Sequence, residues 1–454
     1  MMSVRLIESL ATTETLAEIF SDRSVLQAML DFETALARAQ AKLKIIPHSV
    51  ARAVAKAARV ESYDTSSLAR ETLRAGTPGI PLVKALRQRV HQESVAAADF
   101  VHWGATSQDV ADTALVLLLK KAAPILGADL DRIEKALQSL SNTHKTTVML
   151  GRTLLQAAPP VTFGLKTAGW LGSVRRGRAQ LERAFSDALV LQLGGASGTL
   201  AALGNRGIEV GELVAKELKL AYPDAPWHAH RDRLAAVLCA CGVLTGSLGK
   251  MARDIALLMQ SEVAEVAEPG GSGRGGSSTM PQKRNPIAST IALAAANRVP
   301  AFVAAFLSQM VQEHERGVGG WQAEWPTVAA VIQSTGVTIA SMAETVEGLT
   351  VDDKRMADNL NATRGSIFAE KAAMILSRKI GREAAHKILE QATDSKLLRD
   401  RRLTKVLSEM PGVLEHFDHK ALSRLEDPQD YLGMAAEFTN RISRSAGARP
   451  RHRK

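Results

Sequence analysis

The chain has only two cysteines, Cys239 and Cys241, in 454 residues. That excludes a disulfide framework and fits a reducing compartment, the cytoplasm. Aromatic residues reach only 4%, which argues against β-sandwiches, whose strands lean on Trp, Tyr and Phe. No run of about 18 uncharged apolar residues occurs, so no membrane span is expected. The first residues, MMSVRLIESL, lack the apolar core of a signal peptide, and Glu8 interrupts them. HExxH, paired CxxC and a strand-led GxGxxG are all missing. Two thiolates alone do not make a zinc site, so Cys239 and Cys241 read as packing residues of a helix.

What is present is a mixed, apolar chain: 46% hydrophobic, 23% charged, with a net charge of +10. This is not the composition of a disordered tail. The positive excess raises nucleic acid as a partner, which a salt-dependent shift with duplex DNA would test. Its distribution argues otherwise. Arg441, Arg444, Arg449, Arg451, Arg453 and Lys454 lie in the final stretch, which holds no acid. Six of the ten excess charges therefore sit on a short tail expected to be solvated.

The dominant pattern is helical. Val25, Met29, Phe32, Leu36, Ala39 and Leu43 step by four and three, with Ser21 and Asp22 as caps and Pro47 as terminator. After Ser107 a second pattern carries Leu126, Leu130, Ile133, Leu137 and Leu140, with a kink or break predicted at Pro124. From His228 to Glu268 no proline occurs, and Leu234, Leu238, Cys241, Thr245, Leu248, Ala252, Ile255 and Met259 form one stripe. As one helix it would span roughly 60 Å. Further helices are predicted over 287–314, bent at Pro300, and over 327–347. Long β alternations are lacking. The expectation is an all-α protein: an N-terminal helical domain over 1–106, a long-helix bundle over 107–350, and a C-terminal helical domain over 351–454.

Between two of these helices runs PGGSGRGGSSTMPQKRNP, 269–286. Five of the seven residues from Gly270 to Gly276 are glycine, which suits either a plain linker or a mobile loop. It is not a phosphate loop, because Ser277 rather than Lys follows the last glycine. Ser277, Ser278, Thr279, Lys283, Arg284 and Asn285 then crowd hydroxyls, cations and an amide behind the hinge. Such a loop can present free amide N–H groups to an anion and carry a reactive hydroxyl over a substrate.

GSSTMPQKRNP, 276–286, resembles the signature of the fumarase/aspartase superfamily. HWGATSQDVAD, 102–112, and GRTLLQAAPPVTFG, 151–164, resemble its other two shared regions, in the same order. The resemblance implies three α-helical domains, a homotetramer built on a helical bundle, and active sites drawn from several subunits. By motif position it makes Ser277 the proton-transferring base, with Gly276, Ser278 and Lys283 stabilising its alkoxide. It places Thr106 and Ser107 on a substrate carboxylate, and adds Gln156, Met280, Asn285 and Arg316 as substrate-binding residues. Arg152 and His102 are each either ligand-side or structural. Trp103, Trp321 and Trp325 read as packing. No metal, organic cofactor, nucleic acid or membrane is implied.

Two departures matter. Leu154 stands where most of these lyases carry His, and Thr290 where most carry the Glu paired with it. Expulsion of an amine or water needs that proton donor, whereas a carboxylate leaves or attacks without one. IFSDRSVLQAMLDFETALARAQA, 19–41, and EHERGVGGWQAEW, 313–325, with GRTLLQ, are similar to the muconate-cycloisomerase branch of the superfamily. That branch closes a lactone on a tricarboxylate. An adenylosuccinate-lyase-like enzyme is the first alternative, but the stretch ATTETLA, 11–17, lacks the cation expected to grip a nucleotide phosphate. A catalytically idle structural relative is the second.

Overall fold

A computed structural model describes residues 6–271, 275–276, 280, 283–398, 400–417 and 419–444. Among these residues the elements are overwhelmingly helical, and the strands are limited to two short antiparallel pairs. The chain divides into two compact units. One comprises Met1–Asp131, Arg176–Gly249 and Ile291–Ser341; the other comprises Arg132–Arg175, Lys250–Thr290 and Met342–Lys454.

In the first unit, the helix Asp22–Lys42 begins where Ser21 accepts from the backbone N–H of Ser24 at 3.1 Å. Met29, Phe32, Leu36 and Ala39 are buried, as the four-three spacing requires. Small residues permit close helix approach here. A Cβ on Gly249 would lie 2.6 Å from that of Ala296.

In the second unit, Val148–Thr153 and Gln156–Thr162 form a hairpin whose last pair is Thr153 with Gln156. The turn is therefore Leu154-Leu155, with φ of 50° and 65°. Two-residue turns of this kind normally take Asn-Gly, because left-handed backbone is costly for a residue with a branched side chain. The hairpin escaped the sequence reading for that reason, and because Pro159 and Pro160 interrupt its second strand. A separate apolar core, including Leu376, Leu389, Leu403, Leu407 and Phe417, organises the C-terminal helices.

The structure corrects several boundaries. Ser107–Thr143 is one helix of 37 residues with Pro124 inside it, so no break occurs there. The stripe from Leu234 to Ile255 is buried as predicted, but its helix is Asp232–Leu258, 27 residues, not the whole 228–268 span. It ends in a turn where Ala264 is left-handed, φ 51°. Glu265 and Glu268 beyond it are buried and used in tertiary contacts. The helix after the glycine-rich loop is Ile287–Gln309, and the next starts at Gly320 with Pro326 inside it, seven residues earlier than expected.

Two of these helices, Asp232–Leu258 and Ile287–Gln309, are long and apolar enough to cross a membrane, with window hydropathy of 1.6. Counting only uncharged runs missed them. The first is 61% buried within the chain, as a core helix would be, while the second is only 22% buried.

Candidate functional site

The first unit assembles a cationic recess around the start of the Ser107–Thr143 helix. Thr106 precedes that helix, and Asp109 occupies its third position. The Asp109 carboxylate reaches back to accept from the Thr106 N–H at 3.0 Å, one half of a capping box. Asp109 is completely buried. It also accepts from the N–H groups of Gly194 and Gly195, each at 2.9 Å, and lies 2.7 Å from His228 Nε2. One carboxylate thus ties together the helix start, the 194–195 turn and a histidine.

Arg316 closes the same frame from outside. Its guanidinium donates to Thr106 Oγ1 at 2.9 Å, to Gly195 O at 2.7 Å and to Ala196 O at 2.8 Å. Beneath it, Arg231 is clamped between Asp112 and Glu324, and all three side chains are fully buried. Glu324 is pushed up to about 6 by burial, which the Arg231 guanidinium only partly offsets and the Asp112 charge reinforces.

A cavity of about 980 Å³ opens beside Thr106 and Ser107. His102 also lines it, as do Lys84, Arg87 and His91 of the Gly79–Glu93 helix. Three features there favour anions: a helix N-terminus, paired hydroxyls, and a fringe of cations. The close fit is set by Gly79, where a Cβ would meet Ser107 Cβ at 2.6 Å and Ser107 Cα at 2.8 Å.

The structure therefore brings His102, Thr106, Ser107 and Arg316 together. The remaining predicted residues belong to the second unit. There Arg152 is half-buried and donates to both oxygens of Glu265, at 2.9 and 2.6 Å, and Asn359 adds a third donor at 2.8 Å. Glu265 is fully buried, so Arg152 serves it as counterion. Gln156 lies exposed at the foot of the hairpin turn, and Leu154 at the tip is 97% exposed. Met280 and Lys283 are exposed, and the Lys283 N–H donates to Met280 O at 3.0 Å. The Asn285 N–H donates to Gly275 O at 2.9 Å. Ser277 and Ser278 lie outside the described residues.

The base of the glycine-rich loop is pinned by Glu268. Its carboxylate accepts from the Ala288 N–H at 3.0 Å, the Ser289 N–H at 2.9 Å and Ser289 Oγ at 2.6 Å. A residue before the loop thus caps the helix after it. Thr290 donates its hydroxyl to the carbonyl of Pro286, the residue just before its own helix, at 2.8 Å.

Sequence reasoning missed Asp109, His228, Glu268 and the Gly79–Glu93 cations. Asp109 was legible, because Thr-x-x-Asp ahead of an apolar run is a capping signal. The others act on residues far away in sequence and leave no local signal.

Comparisons with known proteins identify the family. The family described as Lyase matches residues 9–301, and that described as Adenylosuccinate lyase C-terminus matches residues 365–442. The second match lies where the sequence carried no chemically readable motif. A 3-carboxy-cis,cis-muconate cycloisomerase of Bradyrhizobium diazoefficiens is 45% identical over 421 residues, 93% of each chain. A nitrosuccinate lyase of Streptomyces davaonensis is 42% identical over 93% of this chain and 90% of its own. The crystal structure of a 3-carboxy-cis,cis-muconate lactonizing enzyme from Pseudomonas putida aligns with a TM-score of 0.91 and 42% identity, over 97% of this chain and 99% of that one. The chain belongs to this lyase family, the fumarase/aspartase superfamily, and resembles its muconate cycloisomerases along nearly its whole length.

Proposed function

We propose that the protein is an intramolecular lyase that closes 3-carboxy-cis,cis-muconate to a carboxymuconolactone, a step in the breakdown of protocatechuate. The observation that carries this reading is the missing acid pair. Leu154 has no proton to give, and the Thr290 hydroxyl is engaged with Pro286 O. A reaction whose attacking or leaving group is already a stable anion needs no donor at those positions. Likeness to cycloisomerases over the whole chain supports the same choice.

In this mechanism one substrate carboxylate attacks a double-bond carbon and forms the C–O bond of a five-membered lactone. Negative charge passes to a second carboxylate as an aci-anion. Ser277 delivers a proton to the adjacent carbon, and removes it in the reverse direction. Lys283 and the N–H groups of Gly276 and Ser278 hold the serine oxygen as it ionises. Thr106, Ser107 and the helix start bind one carboxylate, with Arg316 stiffening that rim and lending charge. Lys283, Asn285 and Gln156 bind the others. The working form is a homotetramer in the cytoplasm, with each site drawn from more than one subunit. Support comes from the Ile287–Gln309 helix, whose apolar length is only 22% buried within one chain.

The test is Ser277→Ala, followed by the ultraviolet absorbance of 3-carboxymuconate. Loss of at least a thousandfold in kcat is expected, on the order of what removing a nucleophilic or basic group costs. Activity close to wild type refutes the role of Ser277. A second reading is favoured by the same acid-free site: release of nitrite, also a stable anion, as the similarity to a nitrosuccinate lyase suggests. Nitrite formed from nitrosuccinate faster than lactone is formed from 3-carboxymuconate would select it.

A further inference from the structure

Glu33 is a buried acid 69 residues from its partner and outside the three regions at 102–112, 151–164 and 276–286. It lies on the Asp22–Lys42 helix and is 1% exposed. A carboxylate so far from water must be paired. Its partner is His102, whose Nδ1 lies 2.5 Å from Glu33 Oε1. Two turns further along the same helix, Gln40 donates its side-chain amide to Trp103 O at 2.7 Å. One helix therefore holds both residues of the His102-Trp103 step. His102 needs that hold, because its backbone is left-handed, φ 62°, a conformation costly for residues with a β-carbon.

The pairing also decides what His102 offers. A neutral imidazole carries one donor and one acceptor, and its tautomer can turn either toward a ligand. An acceptor facing a carboxylate repels it. With Nδ1–H donated to Glu33, Nε2 is the nitrogen left to a ligand in the cavity that His102 lines with Thr106 and Ser107. We propose that Glu33 is a positioning residue that keeps His102 as an imidazolium, so that its Nε2–H donates to a substrate carboxylate beside the helix start at Thr106 and Ser107. The inference rests on the carboxylate site proposed above and names the device that charges it.

The surrounding charges support this. Burial favours the neutral ring, but the charge and hydrogen bond of Glu33 outweigh it, and Asp109 adds in the same direction, so His102 titrates above its ordinary range. Lys84, Arg87 and His91 line the same cavity and oppose the cation. Lys84 and Arg87 are neutralised in part by Glu71 and Asp99, at 3.8 and 2.7 Å.

The test uses the full-length protein and Glu33→Gln, which preserves shape and removes charge. First, the His102 imidazole is titrated by NMR without substrate, its signal assigned by loss in His102→Gln. Its midpoint should fall by about a unit or more in Glu33→Gln. Second, KM for 3-carboxymuconate should rise roughly tenfold at pH 7.5 and much less at pH 6, with kcat nearly unchanged. Third, adding Glu33→Gln to His102→Gln should cost nothing further, because both act through one ring. An unchanged His102 midpoint, or a double variant clearly worse than His102→Gln, overturns the proposal. The NMR arm needs no turnover. A failure of the substrate assignment would therefore silence the kinetics and leave the titration shift in place.

Discussion

Arg231→Met should be among the most damaging single substitutions in the first unit. The guanidinium makes five hydrogen bonds to two carboxylates. Nε donates to both Glu324 oxygens at 3.1 and 2.9 Å, Nη1 to Asp112 Oδ2 at 2.8 Å, and Nη2 to Asp112 Oδ1 at 3.0 Å and Glu324 Oε2 at 2.7 Å. Its face also covers the Trp227 ring, with 4.8 Å to the centroid. Methionine restores much of the packing but none of the charge. Asp112 would keep donors from Trp321 at 2.9 Å, Gln108 at 3.2 Å and Gln192 at 3.3 Å. Among the described residues, Glu324 would keep only Gln312, at 2.8 Å. Removing one partner of a buried ion pair costs about 3–5 kcal/mol, chiefly through the charge left behind.

The pH dependence follows from Glu324, already pushed up to about 6 with Arg231 in place. Without the guanidinium its carboxyl titrates higher still. A carboxyl raised in the folded state binds its proton more tightly folded than unfolded, so stability falls as pH rises through that range. The variant should therefore be hurt more at pH 8 than at pH 5.5. Urea midpoints at the two pH values measure this. Adding Asp112→Asn and Glu324→Gln to Arg231→Met should recover a large part of the loss, because the triad is then neutral. A single variant within about 1 kcal/mol of wild type at pH 8 would refute the reasoning, as would a triple variant no better than the single.

Two further variants probe shape. In Gly79→Ala the new methyl would lie 2.6 Å from Ser107 Cβ. The fold should survive, because the Gly79–Glu93 helix remains intact, but Ser107 must shift and kcat/KM should drop roughly 10- to 100-fold. Steady-state kinetics beside circular dichroism separates the two effects, and wild-type kinetics would show that Ser107 does not bind substrate. In Leu154→Asn/Leu155→Gly the hairpin turn gains residues suited to its φ of 50° and 65°. The melting midpoint should rise, by about 1–2 kcal/mol of stability. A lower midpoint would mean that the exposed leucines are held by contacts with another copy of the chain.

The parts of this fold legible in the sequence are those whose cause lies within a few residues. The Ser21 cap, the four-three stripe of the Asp22–Lys42 helix and the buried face of Asp232–Leu258 all follow from nearest neighbours along the chain. The serine loop, the Thr-Ser pair and the missing acids at Leu154 and Thr290 were legible for a different reason: they sit inside motifs. The hairpin of 148–162 had neither advantage. Its turn is made by two leucines, and turn chemistry is the local cue that normally marks a hairpin.

Glu265 and Glu268 show why the rest could not be read. By periodicity both extend the helix that begins at Asp232, and no proline intervenes before Pro269. A continued helix would place both carboxylates by the geometry of that helix alone. The chain instead turns at a left-handed Ala264, and the two acids go to separate tasks. Glu265 neutralises Arg152 and Glu268 caps the helix beyond the loop. A buried bidentate pair and a three-donor cap together outweigh the few helical hydrogen bonds forgone, each worth about 1 kcal/mol net. Both partners lie beyond the reach of helical periodicity: Arg152 is 113 residues from Glu265, and Ser289 is 21 residues from Glu268. Glu33 and His102, 69 residues apart, follow the same rule. In this protein the motifs carry the residues proposed to meet substrate, while the long-range pairings that orient those residues, Glu33 with His102 and Glu265 with Arg152, leave no local mark in the sequence.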